Sequence, residues 1–234
     1  MEKLIYILWR DPAATPDAYA QRLRSELGAG LRNAGALALK INVADSAVEP
    51  AAGLRQMHTL PQADAFINLW VDSAIAKLRR PFDDIIAAHS LRYAAYLVSE
   101  SQPLRNLRRP AQAGERTDGF AQMALLRRPA ALGYEEWLDI WHNSHTTVAV
   151  ETQSNFEYIQ NLVIRRLTPD GPAYDAIVEE CFPAAAMTDP YTFFDAPGDE
   201  AKFQHNLKRM MDSVQRFIDM EQLDVVPTSQ YQMF

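Results

Sequence analysis

Two tryptophans and one histidine recur at four-residue spacing in the second half of the chain, at Trp137, Trp141 and His145. Residues four apart share one face of a helix, so the two indoles and the imidazole would form a single stripe. An imidazole changes charge near neutral pH and can accept or donate a proton. In an apolar cavity, desolvation would keep it neutral. His145 is therefore the candidate catalytic residue, and the alternative is a buried histidine bonded to a backbone carbonyl.

A reaction that depends on a metal or a nucleotide has little support in the sequence. His142 precedes His145 by three residues and the two could share a metal, but no cysteine or carboxylate stands at supporting spacing on that helix. The chain contains neither a G-x-G-x-x-G nor a G-x-x-x-x-G-K-[ST] motif, and it has no G-x-S-x-G motif. Cys181 has no histidine near it in sequence and is interpreted as a small buried residue. The sequence therefore predicts no metal and no cofactor.

Composition and charge exclude several classes of partner. The 234 residues carry a formal net charge of −7, and 48% are hydrophobic, as in ordinary globular proteins. Negative charge repels phosphate backbones and anionic lipid, so we expect neither nucleic acid nor a membrane as a partner. The apolar runs are far shorter than a membrane span, the amino terminus lacks a signal-peptide cleavage site, and a single cysteine fits a reducing compartment. We expect a cytoplasmic protein.

The same order of predicted elements occurs twice along the chain. Each half begins with an apolar strand, followed by a proline and a helix, and Leu27 in the first helix stands 118 residues before His145 in the second. The further predicted elements are strands around Asn42 and 64–67, a helix at 73–89 and a strand at 92–100, then strands around Asn161 and 175–178, a helix at 199–218 and a strand at 223–230. Each half thus has the order β-α-β-β-α-β.

This order predicts a ferredoxin-like unit in each half. Both helices of such a unit lie on one face of its sheet, which leaves the other face bare and apolar. Two units in one chain can cover these faces against each other, so we expect an α+β barrel of two ferredoxin-like units. The predicted boundaries are 1–103 for the first unit, 104–118 for a linker and 119–234 for the second unit.

The second half resembles the EthD family of the dimeric α+β barrel superfamily over about residues 119–230. The resemblance is carried by Trp137, Trp141 and His145 in the first helix and by Tyr158 and Asn161 in the next strand. The first half is similar only in the order and spacing of its elements. The resemblance implies a fused pseudo-dimer with one active pocket. It also implies cofactor-independent acid/base chemistry, such as cyclisation, dehydration, decarboxylation or oxygenation, on an aromatic or polyketide-like small molecule.

Three aromatic residues are candidates for binding such a substrate. Trp141, one turn before the histidine, would form a wall of the pocket, whereas Trp137 fits a core position as well. Tyr158 could stabilise a developing enolate with its hydroxyl. Asn161 is three residues further along the strand, where side chains alternate, so it would point to the opposite face unless a bulge intervenes. The predicted substrate-binding residues are Trp141, Tyr158 and Trp137.

Two other functions stay open at this point. In a non-catalytic binding or assembly protein, side chains would fill the pocket and the duplication would only cover the sheets. In a haem protein, His145 would be the axial ligand of the iron. The oligomeric state is open too, because the two halves can pair within one chain or with a second copy in a homodimer.

Overall fold

The computed structural model describes all 234 residues, whose strands form one closed antiparallel barrel. The strands are β1 (Glu2–Trp9), β2 (Ala38–Val43), β3 (Ala65–Val71), β4 (Arg92–Leu104), β5 (Phe120–Leu126), β6 (Glu157–Arg166), β7 (Ala176–Phe182) and β8 (Asp224–Gln232). Around the barrel they follow the order β1-β3-β2-β8-β5-β7-β6-β4, and β4 pairs with β1. All the predicted strands are therefore present.

Each half of the chain forms a four-stranded sheet with the strand order of a ferredoxin-like unit. The first sheet is β4-β1-β3-β2 and the second is β8-β5-β7-β6. The pairs β2–β8 and β4–β6 join the two sheets, so no strand edge is left unpaired. The predicted α+β barrel of two ferredoxin-like units is confirmed.

The helices cover the outside of the barrel. They are α1 (Pro16–Arg22), α2 (Gly28–Asn33), α3 (Ala76–Ala88), α4 (Tyr134–Asp139), α5 (Thr146–Thr152), α6 (Pro190–Phe193) and α7 (Glu200–Val214). A π-helical turn joins α1 to α2 over Leu23–Leu27 and α4 to α5 over Ile140–His145, so each pair forms one continuous helix. None of the helices combines the length and the apolar character that crossing a membrane requires.

Four short elements have no counterpart in the predicted order: α6, a 3-10 helix over Met220–Gln222 and two further 3-10 helices. The first of these two occupies Ser46–Leu54 between β2 and β3, and the second one over Ala184–Met187 leads from β7 into α6. None of the four is long enough to carry a periodic apolar stripe, which is the signal that predicts helices from sequence. The predicted helices at 73–89 and 199–218 are both present but shorter, at Ala76–Ala88 and Glu200–Val214.

The side chains inside the barrel separate into an apolar part and a charged part. The apolar part contains Ile5, Ile7, Phe66, Tyr96, Met123, Ile177 and Val226 among others. In the charged part, Nζ of Lys40 on β2 lies 2.6 Å from the carboxylate of Glu179 on β7. Burial alone would lower the pKa of Lys40, but the adjacent carboxylate raises it overall, so the pair is ionised. This ion pair joins the first sheet to the second.

Residues 105–119 connect the two halves without a helix or strand of their own. This connection runs beside β8, because Arg116 forms an isolated bridge with Tyr231. The backbone N–H of Thr117 also donates to the carbonyl of Gln230 at 2.9 Å. The connecting segment is therefore attached to the second sheet.

Candidate functional site

A cavity of about 630 Å³ lies between the helices of the second half and the outer face of the second sheet. Of its 28 lining residues 18 are hydrophobic, so it suits a mainly apolar ligand. The floor is formed by outward-facing residues of the sheet, which are Gln122, Ala124, Leu126, Tyr158, Val178, Glu180 and Val225. The helical walls include Trp141, His145, Phe193, Phe194, Met210, Val214 and Phe217.

The π-helical turn between α4 and α5 places His145 in the wall of this cavity. Nδ1 of its ring lies 3.0 Å from Oγ of Ser213 on α7, and the ring centroid lies 4.6 Å from that of Phe217. The residue is only 6% exposed. Burial lowers the pKa of His145 to about 4, so the imidazole is neutral at neutral pH. Its chemistry there is that of an uncharged base.

Trp141 and Tyr158, both predicted to bind substrate, line the cavity beside this histidine. The indole N–H of Trp141 donates to the hydroxyl oxygen of Tyr158 at 3.2 Å. The amide of Gln160 donates to the same oxygen at 3.3 Å. Burial raises the pKa of Tyr158, so its hydroxyl keeps its hydrogen. The structure thus brings two of the three predicted substrate-binding residues together with His145.

Trp137 does not line the cavity, in contrast to the prediction for it as a substrate-binding residue. Its indole packs behind Trp141 with ring centroids 5.3 Å apart, and its N–H donates to the carbonyl of Phe217 at 3.0 Å. Asn161 points into the barrel, where its amide oxygen accepts from Lys3 at 2.7 Å. His142 is outside the cavity lining as well and stacks against Trp141. The stripe of the helix therefore contributes Trp141 and His145 to the cavity.

Glu180 is a cavity residue that the sequence analysis missed. It lies on β7, a strand whose seven residues are all buried, and it points to the outer face while Glu179 points into the barrel. Oε1 of Glu180 accepts from Nδ2 of Asn155 at 3.1 Å. Burial raises the pKa of Glu180 to about 7. The signal that could have revealed it is a pair of adjacent carboxylates inside an otherwise apolar strand.

The first half of the chain supplies part of the cavity wall. Its contribution comes from the end of the 3-10 helix and the residues after it, which are Pro50, Gly53, Leu54, Arg55 and Gln56. Gln56 is held by two backbone hydrogen bonds to Val225 on β8, of 3.2 and 2.9 Å. Arg55 is the only lysine or arginine in the lining, and its guanidinium donates to the neutral side chain of Gln62 at 2.7 Å. The cavity is thus built from both halves.

The matching helix of the first half carries no histidine at its corresponding positions. Tyr19, Leu23 and Leu27 are at most 1% exposed and belong to a continuous apolar core with β1, β2 and β3. Leu27 therefore fills with hydrocarbon the position that His145 occupies in the second half.

One cluster of three metal-ligating side chains exists, and it lies inside the barrel. Ligand atoms of Glu157, Glu179 and Cys181 lie within 4.8 Å of one another. The amide nitrogen of Gln230 lies within hydrogen-bond distance of all three side chains, and Lys40 pairs with Glu179. Burial raises the pKa of the Cys181 thiol well above its ordinary value. The Gln230 amide and the Lys40 ammonium therefore already contact these side chains. The cluster fits an interior ion-pair network better than a metal site.

Comparison with protein families identifies one region of the chain. Residues 129–221 match the EthD domain, which confirms the resemblance seen in the sequence. This range contains the helix with Trp141 and His145 and the strands with Tyr158 and Glu180. Among curated proteins there is no match.

Several solved structures are similar to this chain. An anthrone oxidase-like protein is similar with a TM-score of 0.59 at 8% identity, over 100% of this chain and 91% of that chain. A candidate monooxygenase from Fusobacterium nucleatum subsp. nucleatum has a TM-score of 0.50 at 9% identity, over 100% and 92%. A dye-decolorizing peroxidase from Bacteroides thetaiotaomicron has a TM-score of 0.47 at 10% identity, over 99% and 92%. At 8% and 9% identity, the likeness to the first two establishes the fold alone.

Proposed function

We propose, starting from the match of residues 129–221 to the EthD domain, that the protein is a cofactor-independent enzyme that transfers a proton on an aromatic or polyketide-like carbonyl compound. His145 is the proposed catalytic base, and Trp141 and Tyr158 are the proposed substrate-binding residues. The observation that carries this proposal is a neutral imidazole in the wall of a large apolar cavity.

The hydrogen bonding of His145 supports its role as a base. Nδ1 is within hydrogen-bond distance of Ser213, and Nε2 has no protein partner. In the tautomer whose Nδ1–H donates to Ser213, Nε2 carries a lone pair that can accept a proton from a bound molecule. A pKa of about 4 also makes the imidazole a weak base. Its substrate therefore needs a C–H group that is acidified by both a carbonyl and aromatic rings.

The aromatic and hydroxyl groups around the base support the same substrate class. Trp141 and Phe217 contribute aromatic surface to the cavity wall, against which a planar molecule would pack. The oxygen of Tyr158 accepts two N–H donors, and its own O–H group is the one that would donate to an enolate oxygen. Cyclisation, dehydration, decarboxylation and oxygenation of polyketide-like compounds all pass through an enol or enolate. Proton transfer is thus the step that these reactions share.

The proposed test uses anthrone, a tricyclic ketone suggested by the name of the anthrone oxidase-like neighbour. Under anaerobic conditions in D₂O, proton NMR follows exchange of its methylene hydrogens, and quenching of tryptophan fluorescence follows its binding. We expect the wild-type protein to accelerate exchange over buffer. We expect His145→Gln to lower that acceleration by about 100-fold or more while anthrone still binds, since general acid/base groups contribute about 10² to 10⁴ in rate.

A matched control separates the site from the rest of the molecule. His205 lies exposed on α7, so His205→Gln is expected to exchange anthrone like the wild type. Binding of anthrone without any acceleration would instead favour a non-catalytic binding protein. Acceleration that persists in His145→Gln would exclude His145 as the base.

A further inference from the structure

Glu180 is the only carboxylate side chain in the cavity lining, and it lies on the sheet floor whereas His145 lies in the helical wall. We propose that Glu180 is a second catalytic residue, which donates a proton to the substrate carbonyl oxygen, so that the site catalyses keto–enol tautomerisation of an uncharged aromatic ketone. This inference rests on the proposed function and extends it from one proton transfer to a coupled pair.

The register of the sheet places Glu180 in a row of polar side chains. Tyr158 on β6 and Gln122 on β5 are its direct cross-strand neighbours, and all three line the cavity. Directly opposed residues project to the same face, with Cβ atoms about 4.5 to 5.5 Å apart. Oε1 of Glu180 accepts from Asn155 at 3.1 Å, and Oε2 has no protein partner. The carboxyl group is therefore held at one oxygen and available at the other.

No cation neutralises a negative charge at Glu180. The residue is 8% exposed and forms no ion pair, and Arg55 is the only cationic residue of the lining. The titratable groups on the elements packed around it are the Tyr158 hydroxyl from β6 and the His145 imidazole from the helical wall. An isolated buried carboxylate is costly, so the group retains its proton, and its pKa is raised to about 7.

The pKa of Glu180 lies above that of His145, which reverses the usual order for a carboxyl group and an imidazole. Burial raises the pKa of Glu180 from 4.5 to about 7 and lowers that of His145 from 6.5 to about 4. Between these values the carboxyl group carries a proton and the imidazole does not. A proton donor and a proton acceptor thus face one cavity together, which is the arrangement that general acid/base catalysis of enolisation needs.

The proposed step balances without an oxidant or a further reactant. The C–H bond that breaks is conjugated with the carbonyl, and in anthrone it belongs to the methylene group opposite the carbonyl in the central ring; its proton goes to Nε2 of His145. The electron pair enters the conjugated π system, while the C=O bond becomes single and its oxygen takes the proton from Glu180. The products are the enol, an imidazolium and a carboxylate. Solvent returns one proton from the imidazolium to the carboxylate.

The test measures anthrone exchange in D₂O as a function of pH for the wild type and for Glu180→Gln. We expect a bell-shaped profile in the wild type, with the rate falling below about pH 4 as His145 is protonated and above about pH 7 as Glu180 loses its proton. Glutamine has the shape of glutamate and can still accept from Asn155, but it transfers no proton. Glu180→Gln is therefore expected to lower the maximal rate by about 100-fold and to remove the alkaline fall.

Controls keep this inference distinct from the proposed function. Glu135→Gln, at an exposed position of α4, is expected to keep the wild-type profile. An unchanged rate and an unchanged alkaline fall in Glu180→Gln would overturn the role of Glu180 and leave that of His145 intact. A wild-type protein that exchanges no anthrone would overturn both.

A second measurement needs no variant to fold. Infrared difference spectroscopy of the wild type between pH 6 and pH 8 is expected to show the C=O band of a protonated buried carboxylic acid that disappears at the higher pH. Addition of anthrone at pH 6 is expected to shift this band, because the acid would then donate to the ketone. A band that is absent, or that anthrone leaves unshifted, counts against the proposal.

Discussion

The buried imidazole of His145 is expected to make the folded protein less stable at acidic pH, and His145→Gln is expected to remove this dependence. The residue is 6% exposed, and burial lowers its pKa from 6.5 to about 4. Below pH 6.5 the unfolded chain therefore binds a proton that the folded protein does not bind. Lowering the pH consequently favours the unfolded state.

The size of the effect follows from the two pKa values. Their difference of about 2.5 corresponds to about 3 kcal/mol, since each pKa unit is worth ~1.36 kcal/mol. This contribution to stability is fully present above pH 6.5 and is lost progressively as the pH falls from 6.5 to about 4. Between pH 7.5 and pH 4.5 the wild type should lose roughly 2 to 3 kcal/mol of unfolding free energy through this residue alone.

Urea unfolding at pH 7.5 and pH 4.5 measures this loss in the wild type, in His145→Gln and in His205→Gln. His145→Gln is expected to lose roughly 2 to 3 kcal/mol less than the wild type between the two pH values, whatever its stability at pH 7.5. His205→Gln removes an imidazole that already lies in solvent, so it should decline in parallel with the wild type. A parallel decline in His145→Gln would show that the buried imidazole is not held neutral.

Three further substitutions test the barrel and the cavity. Lys40→Met removes the ammonium that pairs with the buried carboxylate of Glu179, so we expect it to lower the unfolding free energy in urea by about 3 to 5 kcal/mol. The double variant Lys40→Met/Glu179→Leu should restore much of this loss. A loss below about 1 kcal/mol in Lys40→Met would contradict the reasoning. Ala124→Trp places a large side chain on the cavity floor. We expect it to abolish anthrone binding in a fluorescence titration and to leave the circular dichroism spectrum unchanged. Retained binding would show that the ligand binds elsewhere. Arg55 has only the neutral Gln62 as its side-chain partner, so its guanidinium is available to an anionic ligand. Arg55→Gln is therefore expected to weaken binding of anthracene-9-carboxylate by about tenfold and to leave binding of 9-anthracenemethanol unchanged. Equal effects on both probes would exclude a contact between Arg55 and the anion.

Much of the fold could be predicted from the sequence because its strands and main helices carry regular apolar patterns. The stripe of Trp137, Trp141 and His145 follows directly from four-residue spacing, and the structure places all three on the face toward the sheet. Spacing does not show how deep a side chain lies within a layer. Trp137 and Trp141 share that face, yet only Trp141 reaches the cavity, because the carbonyl of Phe217 holds the Trp137 indole behind it.

The residues that were missed depend on contacts between distant parts of the chain. Glu180 sits beside Glu179 in sequence, and strand alternation separates their environments completely. Glu179 meets Lys40 inside the barrel, and its pKa is lowered by that ammonium although burial opposes the change. Glu180 meets no cation on the outer face, and its pKa is raised by burial. One glutamate is thus ionised and its neighbour is protonated. This difference comes from the pairing of distant strands, which no local sequence pattern reveals.

The contacts between the halves explain why one cavity needs both units. Without the first half, β6 and β8 would be unpaired strand edges, and Glu179 would face the barrel interior without Lys40. The cavity would also lose Arg55 and the rest of the wall that follows the 3-10 helix. The first unit has Leu27 where the second has His145, but the site of the second unit still depends on it. Its helix face is closed by hydrocarbon, and its strands and one of its connecting segments complete the site of the second unit.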